Sequence, residues 1–478
     1  MYTLSNKLRM FSIIFMAVGA LLFIVGYIVN PSTIEEVKHE MAAHGGDHGE
    51  EHATATHQEA SELDGAGVRG GADTHGNAGG ITEEPTTHAT ADHDADHAEA
   101  GHDDPDAHAA HALDQYHNKP WAAIYIAAFF FFMIALGALA FYAIQYAAQA
   151  GWSPLLLRVM EGITGYLLPG SLIVLLLLVL SGLHLNHLFH WMDPELTDPS
   201  SDHYDALIDG KSGYLNVPFF LIRAIIFIAG WNIYRHFARK FSLKQDEATD
   251  NRWHRKSFKA AAAFLVFFIV TESIMSWDWI MSVDPHWFST LFGWYVFAGM
   301  MVCAITVIAM VTMYLKSLGL LPQVNDSHIH DLAKFMFGFS IFWTYLWFSQ
   351  FMLIWYSNIP EEVTYFVTRI EDFKLPFFGM VVMNFVFPLL ILMNSDYKRI
   401  NLIVIMAGVI ILAGHYLDVF MMISPATVGA SWGIGLLEIG AIFFFFGLFV
   451  LVVFSTLAKE SLVPKRNPLL EESKHFHY

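Results

Sequence analysis

The chain has 478 residues, 55% of them hydrophobic and 15% aromatic, with a mean hydropathy of +0.43. This composition excludes an ordinary soluble domain and indicates a protein that crosses a membrane many times. The single cysteine, Cys303, excludes a disulfide within one chain, a CxxCH haem attachment and a four-cysteine iron–sulfur cluster. The net charge of −19 is concentrated in one segment, since residues 31–120 hold 20 of the 45 acidic residues and only three basic ones.

The first predicted element is an N-terminal transmembrane anchor, residues 1–30. Its apolar run at 10–29 follows Lys7 and Arg9, is too long for the apolar region of a signal peptide, and lacks a small-residue cleavage site. Residues 31–119 form a low-complexity insert that holds 13 of the 25 histidines and few large apolar residues. Its histidines and carboxylates could bind zinc, copper or nickel. Their irregular spacing argues against one tight site and favours a solvated insert with weak metal binding.

Nine further apolar runs follow, each about 20 residues or longer, as a helix needs to cross the hydrocarbon core. They are predicted at 120–149, 168–190, 215–238, 257–281, 288–315, 333–357, 375–394, 400–423 and 432–457. The predicted fold class is therefore an all-α membrane protein with ten transmembrane helices. Ser153 and Pro154 favour a helix start, and residues 155–164 are predicted to form a short helix lying at the membrane interface.

The basic residues predict the orientation. With the N-terminus in the cytoplasm, 19 of the 26 basic residues fall in cytoplasmic segments and six outside, while Arg223 lies within a span. The reverse orientation would invert this ratio. We therefore expect both termini to be cytoplasmic and the His-rich insert to be extracytoplasmic.

The stretch Gly182–Pro194, GLHLNHLFHWMDP, ends the third predicted span. It places His184, His187 and His190 at intervals of three residues, with Asp193 just beyond. On a helix that continues to residue 190, the three histidines lie along one side. An ionisable side chain in hydrocarbon costs at least ~2.5 kcal/mol, so these positions favour a function. His190 and Asp193 can equally be solvated loop residues.

Further ionisable residues concentrate near the extracytoplasmic ends of the spans. They are Arg223, Glu272, Asp278, Asp284, His286, His415, Asp418 and Glu438. Arg223 and Glu272 suit an ion pair between neighbouring helices, and His415 and Asp418 share a helix face. Histidines and carboxylates that line a cavity can form a proton relay. The alternatives remain that the Arg–Glu pair only fixes packing and that Asp284 is only a turn residue.

The segment Ser276–Thr290, SWDWIMSVDPHWFST, followed by LFGWYVFAG, is typical of one family, although its tryptophans also suit an interfacial aromatic belt. From Pro120 to the C-terminus the chain resembles the ActF family, the NrfD-like (polysulfide-reductase) membrane subunits of bacterial alternative complex III. A short anchor, a long His-rich insert and eight core spans plus one more fit the same plan. Within the matching segment the resemblance covers Asp278, Asp284 and His286.

This resemblance implies two four-helix bundles, at 120–281 and 288–423, with a last transmembrane helix and a cytoplasmic tail at 432–478. It implies a multi-subunit quinol:electron-acceptor oxidoreductase of the bacterial inner membrane, with the insert in the periplasm. The partners implied are an NrfD-like relative, an iron–sulfur protein, c-type cytochromes and, in some complexes, a terminal oxidase. The NrfD-like relative is usually credited with the pocket for menaquinol or ubiquinol. A proton pathway or a structural role is therefore implied for this chain at least as much as a quinone-associated site.

Our leading hypothesis is a subunit that is not catalytic alone, contributes a proton pathway, and leaves iron–sulfur clusters and haems to its partners. The alternative is a secondary transporter for metal or other ions, with the insert as a capture tail. Transporters favour broken helices at mid-membrane, whereas the charges here lie in the outer half. A third hypothesis is a scaffold whose charges only lock helices together.

Overall fold

The computed structural model describes residues 2–44 and 105–477, and over these ranges the chain is helical with no β-strand. It divides into two units, one of Met1–Asn30 with Asn118–Tyr478 and the other of Pro31–His117. The helices are α1 (Asn6–Val29), α2 (Ile34–His44), α3 (Pro105–Ala147), α4 (Leu157–Ile163), α5 (Leu167–Gly182), α6 (Ala206–Asp209), α7 (Val217–Glu247), α8 (Arg252–Trp279), α9 (Phe292–Ser317), α10 (Asp326–Ser357), α11 (Pro360–Glu371), α12 (Lys374–Val381), α13 (Phe387–Leu392), α14 (Asn401–Thr427), α15 (Leu436–Leu457) and α16 (Leu470–Lys474).

Ten helical segments in the described part of the chain are long and apolar enough to cross a membrane. They are Asn6–Val29, Ala112–Ala147, Pro154–Gly182, Val217–Glu247, Arg252–Val283, Phe292–Ser317, Asp326–Ser357, Lys374–Leu392, Asn401–Thr427 and Leu436–Leu457. The prediction of an all-α protein with ten such helices is confirmed. The division into two four-helix bundles and the cytoplasmic placement of the termini stay predictions. The predicted metal affinity of the insert concerns residues that lie mostly outside the described ranges.

The third span is shorter than predicted at its C-terminal end. Helix α5 ends at Gly182 instead of residue 190, and His184 adopts a left-handed backbone conformation with φ of 58°. The side chain of Asn186 stabilises this ending, because its Oδ1 accepts hydrogen bonds from Ser181 Oγ at 2.7 Å and from the Leu188 N–H at 3.3 Å. A polar side chain that satisfies the groups around a helix end competes with continuation of the helix.

The segment before this span forms the predicted short helix and is buried against other helices, while its placement at the membrane interface stays a prediction. Every residue of α4 is buried. Gly162 lies against Leu457, and a Cβ atom at Gly165 would overlap the side chain of Thr456. The small residues of α4 and the following turn therefore let this segment pack directly against α15.

Helix α3 lies at the centre of the larger unit and is buried along almost its whole apolar length. The Phe132 ring packs against Trp231 of α7 and Trp279 of α8, with centroids 6.0 and 5.9 Å apart. Further along, Phe141 packs against Phe335 of α10 at 5.4 Å. A helix that is apolar all round suits this central position.

Helix α1 packs along α15, and glycines make the contact close. A Cβ atom at Gly19 would overlap the backbone of Phe444, and one at Gly440 would overlap the backbone of Phe23. In lipid, apolar surface alone gives little drive for helices to associate, so close backbone packing of this kind provides the attraction. The N-terminal anchor is thereby tied to the last span.

Contacts between loops define two ends of the helix bundle. We call the end that carries residues 183–216 the histidine end. There Lys211 Nζ donates to the Pro285 carbonyl at 2.6 Å, and Trp191 Nε1 donates to Ser282 Oγ at 3.2 Å. These bonds hold the 183–216 loop over the end of α8.

We call the opposite end the tail end, because the C-terminal residues 459–477 cross it. Ser473 Oγ donates to the Trp152 carbonyl at 2.7 Å, and Asn325 Nδ2 donates to the Phe476 carbonyl at 2.7 Å. Gln245 Nε2 donates to the Arg466 carbonyl at 3.1 Å. The tail thus connects three separate helix ends.

Candidate functional site

Arg223 and Asp278 form a buried ion pair near the histidine end. The pair is bidentate, with Arg223 Nε 2.6 Å from Asp278 Oδ2 and Nη2 3.0 Å from Oδ1. The Tyr214 hydroxyl donates to Asp278 Oδ1 at 2.9 Å, and the guanidinium stacks 4.0 Å from the centroid of the Tyr214 ring. Asn216 caps α7, which places Arg223 in the second turn of the helix. Asp278 therefore accepts three hydrogen bonds from two side chains.

The predicted pairing of Arg223 with Glu272 was wrong. Glu272 lies six residues before Asp278, about 9 Å further along the same helix at 1.5 Å per residue. It is 2% exposed and accepts a hydrogen bond from Ser276 Oγ at 3.2 Å. No cation pairs with Glu272 among the residues that the structure describes. The sequence placed both carboxylates on α8 but could not show which one faces Arg223.

A cavity of about 370 Å³ opens beside this ion pair at the histidine end. Its walls are mostly apolar and aromatic, and they are formed by Gly210, Lys211, Gly213, Tyr214, Leu215, Trp277, Met281, Ser282, Pro285, Trp287 and Phe288. The indole nitrogens of Trp277 and Trp287 are buried and have no hydrogen-bond partner. A volume above about 300 Å³ with a few polar groups is typical of a small-molecule site. Tyr214 belongs both to the cavity wall and to the ion-pair group.

Asp418 organises a second buried group between α9, α10 and α14. It accepts hydrogen bonds from the Tyr295 hydroxyl and from Trp343 Nε1, the latter at 2.9 Å. His415 Nδ1 lies 3.3 Å from Asp418 Oδ2, so the two residues do share a helix face. His415 Nε2 is buried with no partner. The sequence analysis missed Tyr295 and Trp343, and no local pattern distinguishes them from other aromatic residues in spans.

Arg369 is a further buried cation that sequence reasoning did not single out. It lies on α11 and is 3% exposed. Its Nη1 donates to the Tyr365 carbonyl at 2.7 Å and its Nε to the Met421 carbonyl at 3.2 Å. Burial lowers the pKa of Arg369, against the opposing effect of nearby Tyr365 and Asp284. The amphipathic pattern of 360–371, with one arginine among apolar residues, is the signal that could have found it.

Stacked rings connect the two groups. Trp287, which lines the large cavity, stacks on Tyr365 with centroids 3.8 Å apart, and Tyr365 in turn lies under the Arg369 guanidinium at 3.3 Å. Arg369 and Tyr295 line a second, much smaller cavity, which also contains the unpartnered Nε2 of Gln350. The histidine end therefore holds two buried acidic groups, at Asp278 and Asp418, with aromatic contacts between them.

The histidines of the 182–194 stretch are not part of this constellation. His184, His187 and His190 are exposed and follow the end of α5, so they do not share a helix face as predicted. The side chain of Asn118 accepts a hydrogen bond from the His187 N–H at 3.2 Å and donates one to the His187 carbonyl at 3.3 Å. Partial burial lowers the pKa of His190, and His286 nearby adds to this effect.

His286 and Asp284 lie in the loop after α8. His286 Nε2 is 2.6 Å from Asp205 Oδ2, and about half of the His286 side chain is exposed. Hydrogen bonds from His286 and from the backbone of Ile208 lower the pKa of Asp205 although partial burial acts in the opposite direction. Asp284 is half-buried, and its backbone bonds to Met281 and Trp287 form a turn. The contact of His286 with Asp205 thus links two loops, and Asp284 belongs to a turn within one of them.

Glu438 has a local structural explanation. Its Oε2 accepts the N–H of Gly435 at 2.7 Å, which caps the start of α15. A carboxylate in the first turn of a helix also interacts favourably with the helix dipole. Of the predicted site residues, the structure therefore brings together Arg223 with Asp278 and His415 with Asp418, and it places His286 near His190 in the loops.

No family model matches the sequence, and no curated protein matches it either. In the part of the chain that the structure describes, no group of three or more His, Cys, Asp or Glu side chains could hold a metal ion. The two buried acidic groups and the large cavity are therefore the features that indicate a function.

Proposed function

We propose that this chain is an NrfD-like membrane subunit of a quinol:electron-acceptor oxidoreductase complex, similar in role to ActF of alternative complex III. It contributes a quinone-associated site and a proton pathway at the histidine end. Electrons pass to iron–sulfur clusters and c-type haems on partner subunits, in keeping with the single cysteine of this sequence. The chain is not catalytic alone.

The observation that carries this proposal is that Tyr214, a residue of the cavity wall, also donates a hydrogen bond to the buried carboxylate of Asp278. A quinol loses two protons with its two electrons, so its site needs a group that takes protons away. Tyr214 faces the cavity, and its hydroxyl donates to Asp278. Burial, helped by the negative charge of Asp278, raises the pKa of Tyr214, which keeps the phenol protonated. A proton from the quinol can then pass to the Tyr214 oxygen while the phenol proton of Tyr214 moves to Asp278.

The cavity also fits the ring of a quinol. Its walls carry Trp277, Trp287 and Phe288, whose flat faces suit a planar ring. Asp418 with His415 and Tyr295 forms the second group through which a proton can move.

The proposed orientation places the histidine end on the periplasmic side of a bacterial inner membrane. The basic residues support it, because those between Arg235 and Lys259 and those after Lys459 fall at the tail end. The His-rich insert is then periplasmic and both termini are cytoplasmic. Protons taken from quinol at the histidine end are released outside.

Replacing Tyr214 with Phe tests the proposal, with Tyr204→Phe as the matched control. Each variant removes one hydroxyl of the same loop that donates to an aspartate, Asp278 in the first case and Asp209 in the second. We expect Tyr214→Phe to slow quinol oxidation by the purified complex at least about tenfold, because a positioned proton acceptor is typically worth more than that. Tyr204→Phe should leave the rate unchanged. Equal rates in both variants would contradict a role for the cavity.

Purification of the tagged chain from its native membrane tests the assignment to a complex. We expect c-type cytochromes and an iron–sulfur protein to elute with it. A chain that elutes alone, in a detergent that preserves other respiratory complexes, would overturn the proposed function.

A further inference from the structure

A cluster of cations surrounds one tryptophan at the tail end, where α7 ends and α8 begins. The Nζ atoms of Lys244 and Lys256 lie 4.5 and 4.4 Å from the centroid of the Trp253 ring, and the Arg252 guanidinium carbon lies 5.2 Å from it. Lys240 and Phe237 both lie on α7, and Lys240 Nζ is 5.9 Å from the centroid of the Phe237 ring. We call Lys240, Lys244, Arg252, Trp253 and Lys256 the Trp253 patch.

Among the described residues, only one of the four cations of the Trp253 patch forms an ion pair. Three cations around one ring repel one another, and their attraction to its π face offsets this only in part. In the described residues the one ion pair within the patch joins Arg252 to Asp250 at 3.7 Å, with both side chains exposed. Asp246, a partly buried carboxylate in the last turn of α7, is bound by Arg158 at 2.6 Å. The Trp253 patch therefore presents several exposed cations that an anionic partner can approach from outside.

The location of the patch indicates what that partner is. Lys240, Lys244, Arg252 and Lys256 are exposed at the ends of two helices that are long and apolar enough to cross a membrane. Such helix ends lie at the level of the lipid headgroups, where tryptophan is also enriched. Exposed Phe237 extends the patch towards the apolar part of α7. A partner that carries phosphate oxygens next to acyl chains can contact both the cations of the patch and the apolar surface at Phe237.

We propose that the Trp253 patch binds the headgroup of an anionic phospholipid. The phosphate lies among the ammonium groups of Lys244 and Lys256 and the Arg252 guanidinium, and the acyl chains run along α7. The C-terminal tail adds to the site, because Arg466 Nη1 donates to the Ala248 carbonyl at 2.9 Å and thereby carries its charge to the same loop. Basic clusters next to transmembrane helices attract anionic lipids, and each additional cation strengthens the attraction. This site is independent of quinol oxidation.

Native mass spectrometry of the purified chain tests the proposal, with phosphatidylglycerol and phosphatidylcholine as the added lipids. We expect phosphatidylglycerol to bind in preference to phosphatidylcholine. The Lys244→Gln/Lys256→Gln variant should weaken this binding by roughly tenfold or more, as the loss of two surface charges implies. The matched control, Lys7→Gln/Lys374→Gln, removes two exposed charges from other helices and should bind as the wild type does.

Three results would overturn the proposal. The first is equal phosphatidylglycerol binding by the Lys244/Lys256 variant and the wild type. The second is displacement of the lipid by millimolar inorganic phosphate, which would identify a soluble phosphate as the ligand. The third is displacement by polyglutamate, which would indicate an acidic protein partner. Salt titration of the wild type gives a test that needs no variant, since binding to exposed cations must weaken steeply with ionic strength.

Discussion

At the scale of single residues, the Arg223–Asp278 pair shows what partner choice inside a membrane protein depends on. The sequence places several charges in neighbouring spans, and from the sequence alone either Glu272 or Asp278 could pair with Arg223. The rotation of α7 and α8 and their relative depth place Asp278 opposite Arg223. Asp278 also accepts a hydrogen bond from the Tyr214 hydroxyl. By contrast, the His415–Asp418 contact was predictable, because a spacing of three residues on one helix fixes it without tertiary information.

Replacement of one or both members of the pair separates its structural role from its functional role. Asp278→Asn leaves a buried guanidinium without its counter-charge, so we expect the folded state to lose about 3 kcal/mol. The double variant Arg223→Met/Asp278→Leu removes both charges and should recover most of that stability. Thermal unfolding in detergent measures both effects.

Quinol turnover by the complex is the decisive second measurement on these variants. We expect turnover to stay low in the double variant although its stability recovers, because no carboxylate remains to accept a proton beside Tyr214. A stable double variant with normal turnover would show that the pair only fixes packing.

At the scale of structural elements, the end of α5 at Gly182 changed the site most. A helix through residue 190 would have aligned three histidines, but Asn186 stabilises an earlier ending and the chain enters the 183–216 loop. That loop depends on few long-range contacts, among them the Asp205–His286 bond at 2.6 Å. Asn186 is one residue among many polar residues in the stretch, so the sequence pattern could not identify it as a helix stop.

The Asp205–His286 contact predicts a pH dependence of the loop. The pKa of Asp205 is lowered in the folded protein, so its stabilising contribution is fully present above the ordinary carboxyl pKa and is lost as the pH falls through the lowered pKa of the folded state. We expect Asp205→Asn to increase hydrogen exchange of residues 205–216 at neutral pH. The wild type should show the same increase only after acidification.

Asp198→Asn is the matched control for this prediction. Asp198 lies in the same loop and is exposed, and its carboxylate accepts hydrogen bonds from the N–H and the hydroxyl of nearby Ser200. Its replacement should leave exchange at residues 205–216 unchanged. If Asp205→Asn exchanges as slowly as the control, the contact does not hold the loop.

At the scale of the whole molecule, the C-terminal tail connects helix ends that are far apart in sequence. Its residues bond to Trp152, Gln245 and Asn325, which lie at or beside three helix ends. We expect truncation after Val463 to lower the unfolding temperature in detergent by several degrees, because these bonds and the buried Ser473 are lost together. Lys474→Ala/Glu471→Ala, which removes only an exposed ion pair of the tail, should have little effect. An unchanged unfolding temperature after truncation would show that the tail contacts are not stabilising.

The sequence by itself determined the number of spans, the acidic insert and the concentration of charges near one end of the helices. These features depend on the cost of placing polar groups in hydrocarbon, which acts on each segment separately and is therefore visible in composition. Only the tertiary structure decided that Asp278 pairs with Arg223, that Asp418 accepts from Tyr295 and Trp343, and that a cavity opens beside Tyr214. Those outcomes depend on the rotation and depth of helices distant in sequence, and close packing at glycines and aromatic rings sets both.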